Sequence, residues 1–241
     1  MRKSDQFLAK HLFSIKNKIC IITGSEGGMG RDISNLLENN GAKVIKVDIK
    51  KKKKLNYYQV DLSNKNDLRI FSNKIKKKYD RIDAIINLAG ISDPINFEKN
   101  FQVNIFSVYY LVTNFLELMK KKGGSIVNIT SLNSELGFKN NPGYNSSKGA
   151  LKLLTKSMAI DYGEYNIRVN NLGPGYIKTN MTKISYKNKV ARKKRLNRMI
   201  IKRYGNPSDL FGLILYLISG SSKYVTGQDF YIDGGFLSKG I

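Results

Sequence analysis

Seven short runs rich in β-branched and aromatic residues recur along the chain, and helical patterns fill most of the gaps between them. The runs are KICIITG (18–24), AKVIKVD (42–48), NYYQVD (56–61), IDAIINLAG (82–90), GSIVNIT (124–130), IRVNNLG (167–173) and DFYID (229–233). Helical periodicity covers about 28–39, 65–79, 97–121, 143–163 and 207–219. Few folds accept that alternation. Strands this apolar must be covered on both faces, and the intervening helices carry the chain back for parallel pairing. The order predicts a single α/β domain on a doubly wound, seven-stranded parallel sheet, for which 241 residues suffice. One connection breaks the pattern. Only IKKKKKLN separates Asp48 from Tyr57, fewer residues than a parallel crossover normally takes. Either a tight loop replaces a helix there, or the strand ends lie elsewhere.

TGSEGGMG (23–30) directly follows the first strand and opens a helix. Glycines there let the backbone approach a phosphate, and a helix N-terminus offers unpaired N–H groups with a favourable dipole. The second strand ends in Asp48, eighteen residues beyond Gly30. A carboxylate at that place accepts hydrogen bonds from ribose hydroxyls and repels a 2′-phosphate, which favours NAD(H) over NADP(H). Glu26 points the same way, since the loop itself offers a phosphate no cation. The five lysines at 50–54 form a solvated loop or touch a cofactor phosphate, and they can blunt that repulsion.

The spacing Gly24–x3–Gly28–x–Gly30 resembles the TGxxxGxG loop of the short-chain dehydrogenase/reductase family, and the likeness continues across nearly the whole chain from Ser14 onward. DLS (61–63) looks like the family's adenine-contacting turn, and NLAG (87–90) is close to its NNAG, with Leu88 replacing the second asparagine. NITS (128–131) leads to the place of the family's catalytic serine, and YNSSK (144–148) fits YxxxK. RVNNLGPG (168–175) fits RVNxxxPG, and VTGQDFYIDGG (225–235) matches the C-terminal strand motif. The resemblance implies a Rossmann fold over residues 14–241 and a nicotinamide-dependent alcohol/ketone oxidoreductase. It implies cofactor contacts at Gly24, Gly28, Met29, Gly30, Asp48, Asp61, Leu62, Asn87, Ala89 and Gly90, and further ones at Tyr144, Lys148, Pro174, Gly175, Ile177 and Thr179. It also implies a homo-oligomer, tetramer or dimer, with interfaces on the helices at 97–121 and 143–163.

In such chemistry the cofactor carries the hydride, and the protein orients the substrate and moves one proton. A free tyrosine, with a pKa of about 10, is a poor base at neutral pH. Positions i and i+4 share a helix face, so the Lys148 ammonium is expected beneath Tyr144, lowering the phenol's pKa. Ser131 lies thirteen residues before Tyr144 at a strand's carboxyl end, where it can hydrogen-bond the substrate oxygen; Ser134 is the nearby competitor. Asn104, in FQVNIFSVYY, matches the family asparagine of a proton relay. A mid-helix asparagine can equally serve only backbone groups.

The segment 176–206 matches the family's mobile lid, and it is rich in lysine and arginine, with no acid before Asp209. It recruits an anionic substrate such as a sugar acid, sugar phosphate or nucleotide-sugar, or it is a solvated amphipathic helix burying Leu196, Met199 and Ile200. The ending SSKYVTGQDFYIDGGFLSKG most resembles members acting on sugars and sugar acids, so the expected substrate is polar and sugar-like. The enzyme alternative is a 3-oxoacyl-[acyl-carrier-protein] reductase, whose usual NADPH preference sits poorly with Asp48.

Chain-wide, 42 Lys+Arg against 18 Asp+Glu give a formal charge of +24, which suits nucleic acid or another polyanion. Lysine is scattered, however, and abundant Lys, Asn and Ile also follow from AT-rich coding. A catalytically idle nucleic-acid-binding or scaffold protein is the non-enzyme alternative. The single cysteine, Cys20, excludes an intrachain disulfide and fits a reducing compartment. The extension 1–13 lacks the apolar core of a signal peptide, and FGLILYLI (211–218) is too short to span a bilayer. A soluble cytoplasmic protein is expected. His11 and one distant cysteine offer no metal site.

Overall fold

Each apolar run holds a strand, shorter than the run in six cases and one residue longer, to Pro174, in the sixth run. The strands are β1 Ile19–Thr23, β2 Lys43–Asp48, β3 Tyr57–Gln59, β4 Ala84–Asn87, β5 Gly124–Ile129, β6 Ile167–Pro174 and β7 Asp229–Ile232. The computed structural model describes residues 12–239; His11 and most of the N-terminal extension lie outside them. The helices are α1 Gly28–Asn39, α2 Lys65–Lys78, α3 Phe97–Phe101, α4 Ser107–Lys120 and α5 Pro142–Gly163, then α6 Lys183–Lys187, α7 Lys189–Asn197 and α8 Phe211–Ile218. None is long and apolar enough to cross a membrane.

All seven strands pair in parallel, in the order β3-β2-β1-β4-β5-β6-β7. Successive side chains point to opposite faces, so each strand feeds two cores. Ile21, Ile45, Ile85 and Ile126 pack under Leu68, Phe71, Phe115 and Met158 of α2, α4 and α5. Cys20, Ile22, Ile86 and Val127 pack under Ile33, Leu37, Ile214 and Leu217 of α1 and α8. The chain winds one way from β1 to β3 and the other way from β4 to β7. The gap beyond the carboxyl ends of β1 and β4 is therefore the switch point, where such sheets open a crevice.

The short connection after Asp48 contains no helix. Because β3 has only three residues, paired with Lys46–Asp48, the return path is about 10 Å and eight residues cover it. Asn56 makes the reversal in the left-handed region at φ 51, and its carbonyl accepts from Lys46 N at 2.8 Å. The Tyr57 hydroxyl donates to the Lys50 carbonyl across the loop.

Two helical expectations need correction. The periodic stretch 97–121 is interrupted by a π-helical turn at Gln102–Phe106, between α3 and α4. Asn104 lies inside that turn, fully buried, and its amide bonds outside the helix. In the segment after β6, Met199 is buried, but Ile200 is 60% exposed, so it does not belong to the buried side expected of it.

Candidate active site

The first turn of α1 follows β1 so tightly that a Cβ on Gly30 would stand 2.0 Å from the Gly24 carbonyl oxygen. Gly30 is thus a packing residue and does not face the crevice. At the same helix start there is no side-chain cap and no acid in the first turn, which leaves backbone N–H groups free for an anion. In front lies a cleft of about 480 Å³ whose walls include Gly24, Gly28, Met29, Asp48, Asp61, Leu62, Ala89, Gly90 and Thr179. A smaller cavity of about 200 Å³ adjoins it and shares Met29, Leu88, Gly90, Thr179 and Met181. Its walls also include Ser131, Tyr144, Lys148, Pro174, Gly175 and Ile177, with Leu132, Asn133 and Tyr176. Glycine loop, Asp48 and an uncapped helix are groups that fit a dinucleotide.

Helix α5 delivers the tyrosine and lysine. Asn141 caps it by accepting from Tyr144 N at 3.1 Å, and Pro142 occupies the first turn, where its missing N–H costs nothing. Lys148 lies one turn on, its Nζ 5.8 Å from the Tyr144 ring centre. That amine donates to the Ile129 carbonyl at 2.7 Å, and burial pushes its pKa down to about 8. Burial pushes the Tyr144 phenol up, partly opposed by the Ser131 hydroxyl. The expected lowering of the phenol by the lysine is therefore not present in this state. Both groups are desolvated toward neutrality, and the amine faces a carbonyl.

Ser131 caps a short 3₁₀ turn, Leu132–Ser134. Its hydroxyl donates to Asn133 Oδ1 at 3.0 Å and accepts from Asn133 N at 3.2 Å. Ser134 turns away instead: its hydroxyl donates to the Ser131 carbonyl at 2.6 Å and meets the Tyr231 hydroxyl at 3.1 Å. Only Ser131 faces the cavity. Asn133 and Asn145 belong to no sequence motif, yet they join Ser131 to the tyrosine's helix through an amide–amide bond of 2.5 Å. The single available signal was their place beside Ser131 and Tyr144.

Asn104 accepts from Ile91 N at 2.9 Å and donates to Ile91 O at 3.0 Å and to Ser147 Oγ at 2.9 Å. It ties the loop after β4 to α5. Asn87 does not reach the cleft. It donates to Asn128 at 2.8 Å, beginning a buried polar chain through Thr155 and Asn171 to Asp229. Such a chain holds β4, β5, β6, β7 and α5 in one register, because any missing member would leave a buried amide unpaired.

A family model described as enoyl-(acyl carrier protein) reductase matches residues 24–237. The chain is a short-chain dehydrogenase/reductase. It belongs to a family of pyridine-nucleotide-dependent oxidoreductases acting on CH–OH groups. The dehydrogenase is 34% identical to a 3-oxoacyl-[acyl-carrier-protein] reductase of Thermotoga maritima, covering 92% of this chain and 99% of the relative. It is 32% identical to a 5-keto-D-gluconate 5-reductase of Escherichia coli, over 94% of this chain and 98% of the relative. A gluconate 5-dehydrogenase from Burkholderia cenocepacia, solved with NADP and tartrate, superposes with a TM-score of 0.90 at 26% identity, covering 95% and 99% of the two chains.

Two features of the dehydrogenase escape its motifs. Three arginines of the segment 176–206 lie over aromatic rings: Arg192 over Tyr186, Arg195 over Tyr176 and Arg198 over Phe236, at 4.7–5.3 Å. None lines the smaller cavity, whose one cation is Lys148. Glu26 is also less bare than the loop sequence suggests, since folding brings Lys54 to 2.8 Å and Arg31 to 3.5 Å from its carboxylate.

Proposed function

We propose that this dehydrogenase interconverts a secondary alcohol and a ketone with NAD(H), on a polar, sugar-like substrate. The observation that carries the reading is the convergence of Ser131, Tyr144 and Lys148 on one small cavity beside the glycine-loop cleft. The cofactor, when bound, supplies or accepts the hydride. Gly24, Gly28, Met29, Asp48, Asp61, Leu62, Ala89 and Gly90 hold its adenosine and phosphate portion, and Pro174, Gly175, Ile177 and Thr179 its nicotinamide portion. Tyr144 gives or takes the proton at the substrate oxygen, and Ser131 orients that oxygen by a hydrogen bond. Lys148, drawn toward a bound ribose, places positive charge near the phenol and favours its ionised form. Asn104 and Lys148 flank Gly90, where a Cβ would stand 3.2 Å from Asn104 Oδ1 and 3.3 Å from Lys148 Nζ, so glycine keeps the proton's exit path open. NAD(H) is favoured because both Asp48 oxygens, fixed by N–H groups of Glu26 and Lys50 at 2.8 and 3.1 Å, stand at the ribose end.

The likeness to enzymes named for 5-ketogluconate and gluconate supports a sugar-acid substrate. A second reading rests on the smaller cavity itself: Leu88, Leu132, Met181 and Tyr176 form much of its wall, which also suits an acyl chain. Its basic lid would then meet an acidic carrier protein. A screen decides between them, following NADH formation with sugars and sugar acids and oxidation of NADH or NADPH with a 3-oxoacyl thioester. Turnover of sugar acids alone supports the first reading, turnover of the thioester alone the second, and turnover of neither class removes both substrate readings.

The protein is further proposed to be a homo-oligomer. Phe106 and Tyr109 near the start of α4 and Leu153 and Ile160 on α5 are 46–81% exposed, on the two stretches where interfaces are expected. A monomer mass by light scattering would remove this proposal.

A further inference from the structure

The lysine run at 50–54 finds no role in the chemistry above, yet the fold brings one end of it to the glycine loop. Lys54 Nζ lies 2.8 Å from Glu26 Oε1, and Arg31, from α1, reaches Oε2 at 3.5 Å. Lys50 Nζ donates to the Glu26 carbonyl at 3.3 Å, and its backbone N–H donates to Asp48. The Glu26 side chain is 4% exposed, whereas those of Lys54 and Arg31 are 47% and 60% exposed. A buried carboxylate thus holds two solvent-facing cations beside Asp48, along a polar recess that Glu26, Arg31 and Lys50 line next to the glycine loop. The hydrogen bond from Lys54 holds the Glu26 carboxyl below the usual carboxylate range, so it is ionised at neutral pH.

We propose that Glu26 is an internal counter-anion for a cation pair that would otherwise accept a phosphate, and that it, together with Asp48, excludes a 2′-phosphorylated dinucleotide. The proposal rests on the dinucleotide reading of the cleft. Two carboxylates at the ribose end repel a phosphate dianion, and Lys54 and Arg31 are already paired. Replacing the Glu26 charge by an isosteric amide leaves Lys50, Lys54 and Arg31 facing Asp48 alone, so the local balance changes from one net positive charge to two. Glutamine keeps the size of the Glu26 side chain and an oxygen that accepts from Lys54, and Lys54 and Arg31 stay solvated when their partner is neutral, so the variant is expected to keep its fold.

The test is direct binding, read as dissociation constants for NADH and NADPH by cofactor fluorescence and for adenosine 2′-phosphate by calorimetry. Glu26→Gln should tighten NADPH and adenosine 2′-phosphate by at least about tenfold, since relief of like-charge contact is worth more than 1.4 kcal/mol. NADH affinity should move by less than about threefold, because it lacks the phosphate. Adding Lys54→Ala should abolish most of the gain, which separates a phosphate contact from a general loosening of the loop. If the wild type binds NADH and Glu26→Gln leaves the NADPH-to-NADH ratio unchanged, the inference is wrong while the cofactor reading stands. A wild type that already prefers NADPH also overturns it. Binding of neither dinucleotide to the wild type would overturn the cofactor reading and the inference with it.

Discussion

Tyr144→Phe should lower kcat by about 10²–10⁴-fold, the range for losing a positioned general acid or base. The substitution removes one hydroxyl and leaves the ring as a wall of the smaller cavity, with the Asn141 cap on its backbone intact. NADH affinity should therefore change by less than about twofold, since an interaction made only in the transition state has been lost. The pair of measurements is a steady-state rate on the substrate found by screening and a fluorescence titration with NADH. Activity within about tenfold of wild type would remove Tyr144 from the mechanism, whatever the substrate.

Lys148→Met separates stability from activity at the same site. The amine is almost wholly buried, and burial has pushed its pKa down to about 8 from an ordinary 10.5. Below pH 8 folding must therefore keep a desolvated ammonium, at a cost of about 3 kcal/mol. Methionine removes that cost but leaves the Ile129 carbonyl without its donor, worth about 1–3 kcal/mol. A net gain of about 1 kcal/mol is expected at pH 7, together with loss of turnover. The sign with pH follows from linkage. Between the folded and unfolded pKa values the unfolded chain binds more protons, so wild-type stability rises from about pH 8 toward 10.5. Its deficit against the variant should shrink and reverse over that window. Denaturant titrations at pH 7 and 9.5 measure it. A difference between the two proteins that does not vary with pH would show that Lys148 is folded without a desolvation cost.

The basic segment 176–206 has a more structural character than its charge suggested. Arg192, Arg195 and Arg198 spend their planar faces on Tyr186, Tyr176 and Phe236, and each guanidinium covers aromatic surface that would otherwise meet water. Lys193 and Lys194 remain exposed on α7. The high positive charge of this segment is thus divided between packing and a solvated face, with none of its cations among the walls of the smaller cavity.

Much of the fold was legible because its signals are local. β-branched runs, a glycine loop between strand and helix, and a tyrosine and lysine one turn apart are properties of neighbouring residues, whose sterics hold in almost any context. Those features located all seven strands, the crevice and the tyrosine–lysine pair in their order along the chain. What stayed hidden joins residues far apart in the sequence. The π turn at Asn104 exists because its amide is drawn to Ile91 and to Ser147, forty-three positions away. The choice between Ser131 and Ser134 was made by Tyr231, ninety-seven positions beyond Ser134. Asn87 was turned from the cleft by Asn128 on the next strand, and Glu26 acquired a lysine from a loop twenty-eight residues on. The sheet, the glycine loop and the spacing of Tyr144 and Lys148 follow from backbone sterics and periodicity, which neighbouring residues set among themselves. Only the tertiary structure decided which polar groups remain free to face the cleft, because a buried donor or acceptor must take whatever partner the packing brings within about 3 Å.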